Sequence, residues 1–313
     1  MQTAMSAGGE SYDVEDYAET YRSETGMTVK IMQPVIGAEI SGVDLAQPLS
    51  PETGRDIRNA VLRHGVIFFR NQKMDYERHV ALASLFGSPI PDGPFADRPE
   101  VIPIKGDGGA KDQSANRWHS DACYQTSPPS VSVLRSIKVP RLGGDTCFSS
   151  AVAAYEGLSD EMKERISALR YSTDILYATR RSVLSTPERY AELRLKYPPC
   201  EHPVVRIHPD TGAKVLFVNE AYTMGIVGME EREAMELIRE LTDEFRKPEY
   251  QVRWKWTPDA IALWDNRAVQ HYAVANQASD RYLERISVEG TPTLGVADWE
   301  ASGKAGMGQA VQA

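Results

Sequence analysis

Short apolar segments that alternate with turn residues constrain the fold of this chain more than any other feature. The turns between them contain Gly, Pro and Asp, and only a few helical segments interrupt the alternation. Strands are predicted at 28–32, 39–43, 66–69, 101–104, 131–139, 204–208, 215–219, 251–256, 260–264 and 283–290. Many short strands on both sides of a few helices favour a double-sheet jelly roll over a doubly wound sheet. We therefore predict a mostly β fold with flanking helices and a double-stranded β-helix (jelly-roll, cupin-like) core.

The helical segments and the irregular ends set the expected domain plan. Helices are predicted at 51–64, 76–86, 151–169 and 230–246. With no internal repeat in view, residues 28–296 are predicted to form one domain, preceded by a flexible, acidic arm at 1–27 and followed by a disordered Gly- and Ala-rich tail at 297–313. The Arg- and Tyr-rich stretch at 175–200 is predicted to be an insertion over the mouth of the site, and the polar loop at 106–116 a lid.

Composition excludes several classes of function. The 313 residues are 42% hydrophobic and 25% charged, which is ordinary for a globular enzyme. A net charge of -9 argues against a nucleic-acid partner. No apolar run is long enough to span a bilayer, and the acidic N-terminus is unlike a signal peptide, so we expect no membrane association and a cytoplasmic location. The three scattered cysteines define neither a disulfide framework nor a zinc site. We also expect a homo-oligomer.

The strongest candidate for chemistry is the run Trp118-His119-Ser120-Asp121. On a strand, side chains two positions apart point to the same face. An imidazole and a carboxylate placed in this way can supply two of the three protein ligands of a 2-His-1-carboxylate iron site. The chain contains the same spacing at His208 and Asp210, but Thr211-Gly212 follow that pair between two apolar runs. That second pair is predicted to belong to a hairpin turn.

The third ligand candidate is His271, which follows the apolar strand at 260–264. It lies about 150 residues after His119, as ligands from two facing strands of a barrel would. On this evidence alone, a histidine that only packs in the core remains an open alternative.

The order of these and several other motifs makes the sequence similar to the TauD/TfdA family of iron(II)- and 2-oxoglutarate-dependent dioxygenases. The matching segments occur in family order and cover most of 28–292: Trp118–Asp121, Gly143–Thr146, Phe217–Glu220, Lys247–Trp254, Trp264–Arg267 with His271, and Arg281 with Arg285. The resemblance implies that His119, Asp121 and His271 bind iron(II). It also implies that Thr146 and Arg281 hold the distal carboxylate of 2-oxoglutarate, with O2 as the second co-substrate.

The same resemblance suggests the class of substrate. Arg285 lies four positions after Arg281, on the same face of a strand, and in the taurine-using branch the matching arginine binds the substrate sulfonate. This implies a small anionic substrate, with Tyr222 and Phe95 as candidate pocket walls. Three positions depart from that branch, because no His follows Phe86-Gly87, and Ala115 and Thr179 replace an expected Asn and Phe. The departures argue against taurine and leave sulfate esters, other sulfonates, aryloxyalkanoates and other organic acids open.

The leading hypothesis is therefore a dioxygenase that hydroxylates a C–H bond and releases succinate and CO2. Where the hydroxylated carbon also carries a heteroatom, the product collapses and a C–S or C–O bond breaks. Two alternatives remain open from the residues: a zinc-type metal hydrolase, since the same three ligands suit a metal-bound water, and a non-catalytic jelly-roll ligand-binding protein.

Overall fold

The computed structural model of the chain describes residues 3–5, 11–13, 19–106, 115–176 and 186–303. Its strands are β1 Thr3–Met5, β2 Ser11–Asp13, β3 Thr20–Arg22, β4 Thr28–Ile31, β5 Ala38–Ser41, β6 Val66–Phe69, β7 Ile102–Gly106, β8 Val131–Lys138, β9 Thr146–Ser150, β10 Arg170–Thr173, β11 Cys200–Pro203, β12 Val205–Ile207, β13 Lys214–Leu216, β14 Thr223–Ile226, β15 Gln251–Trp254, β16 Ile261–Asp265, β17 Val269–Ala273 and β18 Arg281–Ser287. The helices are α1 Pro51–His64, α2 Tyr76–Ser84, α3 Ala151–Glu156, α4 Asp160–Ile166, α5 Pro187–Lys196, α6 Glu231–Asp243 and α7 Val296–Ala301. No helix among these residues is long and apolar enough to cross a membrane.

Two facing sheets form the core. The larger has the strand order β3-β4-β5-β6-β16-β8-β18-β7, and the smaller has the order β15-β9-β17. Aromatic side chains fill the space between them: the Phe68 ring stacks on Trp254 with 4.2 Å between centroids and meets Phe148 edge-on at 5.5 Å. Within both sheets the neighbouring strands are antiparallel except β5 and β6. The predicted jelly-roll core, with helices at its margins, is confirmed.

Alternation along β8 separates the inside of the jelly roll from its outer face. Val131 and Val133 belong to an outer apolar cluster that also takes residues from α1 and α2, such as Ile57 and Leu82. Ser132, between the two valines, points to the opposite face and into the interior. Because successive side chains change face, a single serine in an apolar strand can reach the site between the sheets.

Helix α1 shows how local sequence fixes the scaffold. Ser50 accepts a hydrogen bond from Thr53 N through Oγ, and Pro51 occupies the first helical turn, where its missing N–H costs nothing. Gly65 ends the helix at a φ of 71°, a conformation that favours glycine. The buried strand β6 follows at once, as predicted.

The predicted helix at 151–169 is wrong in one respect, because two helices, α3 and α4, occupy this stretch. The break falls at Gly157, where a Cβ atom would lie 1.9 Å from the hydroxyl of Tyr250. Ser159 then starts α4 by accepting a hydrogen bond from Met162 N.

The structured part of the chain extends beyond both predicted domain boundaries. Strand β3, at Thr20–Arg22, pairs with β4 as an edge strand of the larger sheet, so the sheet starts before residue 28. At the other end α7 runs past residue 296 and buries Trp299. Most of the predicted lid at 106–116 lies outside the described residues. In the predicted insertion, 177–185 lies outside them too, and α5 follows.

Candidate active site

The two histidine candidates lie side by side in the small sheet. His119 pairs with His271 in an antiparallel bridge, with His271 N donating to His119 O at 2.9 Å and His119 N donating to His271 O at 3.2 Å. Residues directly opposite each other in such a pair project their side chains to the same face. The ring centroids are accordingly 4.2 Å apart. The sequence predicted ligands from facing strands, whereas the structure places both histidines as neighbours at one sheet edge.

Hydrogen bonds hold both the main chain and the carboxylate of Asp121. Its N–H donates to Asn266 Oδ1 at 2.7 Å, and Asn266 Nδ2 donates to Asp121 O at 3.0 Å. Ser132 Oγ donates to Asp121 Oδ2 at 2.8 Å, which leaves Oδ1 directed toward the histidines, 3.8 Å from His271 Nε2. The structure therefore brings His119, Asp121 and His271 together, with one ligand atom of each within 4.8 Å of the others.

The protonation states of this cluster suit metal binding. Burial lowers the pKa of His119, and burial together with His119 lowers that of His271 to about 3, so both imidazoles are neutral at neutral pH. Burial alone would raise the pKa of Asp121. The positive charge of Arg285, aided by the two imidazoles and by Ser132, instead holds that pKa at about 2. Two neutral imidazoles and one ionised carboxylate are the forms that bind a divalent metal.

The donor set fits iron(II). His119 Nδ1 lies 2.7 Å from Arg117 O, so the imidazole donates its proton there and keeps the Nε2 lone pair for a metal. Two histidines and one carboxylate form the facial arrangement of non-haem iron oxygenases, which leaves coordination positions for co-substrate and oxygen. His119, Asp121 and His271 are therefore the residues that would hold the metal.

Arg281 is a buried cation without a carboxylate partner among the described residues. The side chain is 4% exposed; Nη1 donates to Gly144 O at 2.8 Å, and Nε has no partner within the same set. The nearby acid Asp145 is engaged by Arg253 Nε at 2.7 Å. Burial lowers the pKa of Arg281, but arginine is effectively always protonated. Such a guanidinium fits the distal carboxylate of a five-carbon diacid.

Thr146 lies at the start of β9, two residues after the carbonyl that Arg281 contacts. Its hydroxyl is buried and accepts a hydrogen bond from Trp256 Nε1 at 3.0 Å. Because that indole is a donor only, the Thr146 hydroxyl keeps its own hydrogen for a carboxylate. Gly143 makes this corner feasible, since a Cβ there would lie 2.3 Å from Asn276 O. Trp256 was not singled out from the sequence.

Arg285 reaches the metal-ligand cluster from β18. Its Nη1 donates to Asp121 Oδ1, and its Nε is buried without a hydrogen-bond partner in the described part of the chain. Arg281 and Arg285 both point inward, as their spacing of four predicted, whereas Glu284 faces outward and pairs with Arg98 and Arg135. The guanidinium of Arg285 therefore sits beside the carboxylate that would bind the metal.

The two predicted pocket walls separate in the structure. The Tyr222 ring is edge-on to His119, with 6.3 Å between centroids, and so lies next to the cluster. Phe95 packs against the outer apolar cluster with α1 and α2, and Arg98 lies over its ring at 4.8 Å. The placement of Phe95 at the site was therefore wrong, because its irregular segment gives no periodicity from which to read which face of the sheet it covers. Tyr124, 5.3 Å from Tyr222, was not predicted.

The second His-x-Asp pair belongs to a turn, as predicted. His208 Nδ1 accepts hydrogen bonds from Asp210 N and Thr211 N, and its Nε2 lies 2.9 Å from Asp265 Oδ2. Gly212 has a φ of 70°. The His208 ring is thus bonded at both nitrogens and has no lone pair left for a metal.

Comparison with known proteins settles the family. Residues 28–287 match the model of the taurine catabolism dioxygenase TauD, TfdA family. The chain belongs to the TauD/TfdA family. The resemblance expected from the motifs is confirmed, and with it the dependence on iron(II), 2-oxoglutarate and O2 that defines this family of dioxygenases. Membership also favours the dioxygenase hypothesis over the zinc-hydrolase and ligand-binding alternatives.

Three TauD/TfdA relatives cover most of the chain. An alkylsulfatase of Acinetobacter baylyi is 36% identical over 83% of this chain and 84% of its own length. An alpha-ketoglutarate-dependent sulfate ester dioxygenase of Pseudomonas putida is 34% identical over 83% of this chain and 89% of its own. The crystal structure of a putative alpha-ketoglutarate-dependent taurine dioxygenase from Burkholderia xenovorans superposes with a TM-score of 0.77 at 33% identity, covering 87% of this chain and 96% of that one.

Proposed function

We propose that this chain uses the 2-oxoglutarate-dependent dioxygenase chemistry of its family to hydroxylate a C–H bond of a small anionic organic substrate, with sulfate esters or sulfonates as the preferred class. The observation that carries the proposal is the contact between Arg285 and Asp121. An anionic group held by this guanidinium lies beside the metal ligands, so the carbon next to that group is the one presented for oxidation.

Each part of the site has a separate task under this proposal. His119, Asp121 and His271 hold iron(II), which, when bound with 2-oxoglutarate and O2, supplies the oxidising chemistry that yields succinate and CO2. Arg281 and the Thr146 hydroxyl bind the distal carboxylate of the co-substrate. Arg285 binds the anionic end of the substrate, and Tyr222 packs beside it.

The product follows from the position of the hydroxyl group. For a sulfate ester, one oxygen atom enters the C–H bond of the carbon that carries the ester oxygen. The adduct then collapses, so the C–O bond breaks and an aldehyde and inorganic sulfate leave. The other oxygen atom of O2 ends in succinate. The relatives from Acinetobacter and Pseudomonas are named as an alkylsulfatase and a sulfate ester dioxygenase, which supports sulfate esters as the class of substrate for this chain.

Three further predictions belong to the same proposal. We infer that α5, in the stretch 175–200, covers the site mouth: Leu193 packs with Ile175, Leu176 and Tyr124, and Lys196 pairs with Asp92 at 2.7 Å. The protein is also proposed to be cytoplasmic and to form a homo-oligomer. Light scattering after size-exclusion chromatography tests the oligomeric state.

The test compares substrate use by Arg285→Gln and Arg281→Gln. Alkyl sulfates, sulfonates, aryloxyacids, amino acids and, as neutral compounds, the matching alkyl alcohols are scored by succinate release from enzyme loaded with iron(II) and 2-oxoglutarate. Loss of a charge-assisted contact should raise the KM for the anionic substrate about tenfold to a hundredfold in Arg285→Gln, with little change for 2-oxoglutarate. Arg281→Gln should show the reverse pattern.

Two results would contradict the proposal. If the best substrate of the panel is neutral, an anion-binding arginine at the site has no purpose. If Arg285→Gln weakens 2-oxoglutarate as much as Arg281→Gln does, Arg285 is a second contact to the co-substrate and the substrate assignment is wrong.

A further inference from the structure

Two tyrosines lie next to the metal-ligand cluster. The Tyr222 ring is edge-on to His119 at 6.3 Å, and the Tyr124 ring is 5.3 Å from Tyr222 and 5.1 Å from Tyr197. Tyr124 is supported from behind by the small apolar cluster of Ile175, Leu176 and Leu193. Tyr222 in turn packs against a larger apolar cluster that includes Phe217, so packing holds both rings in place.

The hydroxyl groups of these tyrosines have no partner in the described part of the chain. The hydrogen bonds made by the two residues use main-chain atoms: Tyr222 N donates to Asn219 Oδ1 at 2.9 Å, and Tyr124 O accepts from Cys200 Sγ at 3.3 Å. Both residues are partly exposed, so their hydroxyls can be reached by a ligand. A phenol can donate one hydrogen bond, and these two phenols lie next to a reaction site.

The electrostatic surroundings keep both phenols protonated. Burial raises the pKa of Tyr124 and of Tyr222 above the ordinary value, and the positive charge of Arg285 acts in the opposite direction on both. Both hydroxyls thus remain hydrogen-bond donors at neutral pH, within the electrostatic range of the guanidinium assigned to the substrate anion.

The chemistry of the anion decides what such donors recognise. A guanidinium binds two oxygens of a carboxylate in one plane, and a carboxylate has only two. A sulfonate or sulfate ester has a third terminal oxygen that projects out of this plane and needs another donor. A neutral hydroxyl supplies that donor without a second positive charge.

We propose that Tyr124 and Tyr222 donate hydrogen bonds to the oxyanion held by Arg285, and that they select sulfonate and sulfate-ester head groups over carboxylates. This inference rests on the proposed function, since it assumes that Arg285 binds the substrate anion. It goes further, because it separates sulfur oxyanions from carboxylates such as aryloxyalkanoates, which the arginine alone does not distinguish.

The test measures binding of two ligands with similar tails and different head groups, hexane-1-sulfonate and heptanoate. Titration calorimetry without oxygen is done on wild-type protein loaded with iron(II) and 2-oxoglutarate, and on Tyr124→Phe, Tyr222→Phe and the double variant. Each substitution removes one oxygen and keeps the ring. Loss of one hydrogen bond to a charged acceptor should weaken sulfonate binding about tenfold, and heptanoate binding should remain near the wild-type value.

Tyr282→Phe is the matched control, because the Tyr282 hydroxyl bonds Glu284 at 3.2 Å on the outer face of the strand that carries Arg285. It should keep the wild-type ratio of affinities. A separate titration of each iron(II)-loaded variant with 2-oxoglutarate shows that the variant is folded.

A double Tyr124/Tyr222 variant with the wild-type ratio would overturn the inference, as would a wild-type protein that binds heptanoate as tightly as the sulfonate. In both cases the proposed binding of anionic substrates stands. If neither ligand binds wild-type protein, the proposed function is overturned together with the inference.

Discussion

The Ser132→Ala substitution tests how the carboxylate of Asp121 is prepared for a metal. The Ser132 hydroxyl donates to Asp121 Oδ2 at 2.8 Å, and the two residues are 0% and 3% exposed. This bond fixes one carboxylate oxygen and so aims the other at the histidines. Without it, the carboxylate must be immobilised when the metal binds. Loss of such a supporting bond typically lowers metal affinity by about tenfold to a hundredfold.

Titration calorimetry with Mn(II), which is stable in air, measures this effect directly. Ser136→Ala is the control, because Ser136 lies on the same strand and the same face, is 2% exposed, and bonds Thr257 O and Ala260 N instead of a metal ligand. Both variants should lose stability, by about 1–3 kcal/mol for a buried group left without its partner. Equal metal affinities in Ser132→Ala and Ser136→Ala would refute the proposed role of Ser132.

Three further outcomes are expected. Asn266→Ala removes three buried hydrogen bonds, two to the main chain of Asp121 and one to Pro129 O at 2.9 Å. The substitution should lower the free energy of unfolding, measured by urea titration, by about 2–5 kcal/mol, and a change under about 0.5 kcal/mol would contradict this prediction. Trp256→Phe removes the donor to Thr146 and should weaken 2-oxoglutarate about fivefold while metal affinity stays constant, as measured by calorimetry. Burial lowers the pKa of His64 to about 4 and the pKa of His79 to about 3. Below about pH 6.5 the unfolded chain therefore binds protons that these imidazoles in the folded protein do not, and each histidine lowers the free energy of unfolding by up to about 1.4 kcal/mol per pH unit. A free energy of unfolding that is the same at about pH 7 and about pH 5.5 would contradict this.

The jelly-roll core could be predicted because its strands are short, apolar and separated by turn residues. Strand β8 and helix α1 show this: each has a clear period and a recognisable start or end. The wrong predictions concern features of the fold that are determined by tertiary contacts. The local sequence does not indicate that the Tyr250 hydroxyl occupies the space beside Gly157, where the predicted helix is divided. It also does not indicate that Thr20–Arg22 forms an edge strand of the larger sheet.

In the candidate site, too, some features could be predicted from the sequence and others depend on tertiary contacts. The order of motifs pointed to His119, Asp121, His271 and Arg281, and the structure brings the first three together. That His119 and His271 are hydrogen-bonded neighbours depends on chain folding over about 150 residues and has no local signal.

The supporting residues were harder to predict than the candidate ligands. Ser132 was detectable only as a polar residue within an apolar strand, and Asn266 only as part of the run Trp264–Arg267. Trp256 looked like an ordinary strand residue. Phe95 was misplaced because an aromatic residue in an irregular segment carries no information about which side of a sheet it covers.

The most direct test of the account is succinate formation by an Asp121→Asn variant. The substitution keeps the shape of the side chain and an oxygen for Ser132, but removes the one negative charge that the three ligands supply to the metal. With iron(II), 2-oxoglutarate, O2 and an alkyl sulfate, the wild-type protein should release succinate and inorganic sulfate in equal amounts, and the variant should fall to the background rate. Wild-type activity in the variant, or no succinate from the wild-type protein with any anionic substrate, would contradict the assignment of His119, Asp121 and His271 as the catalytic metal site.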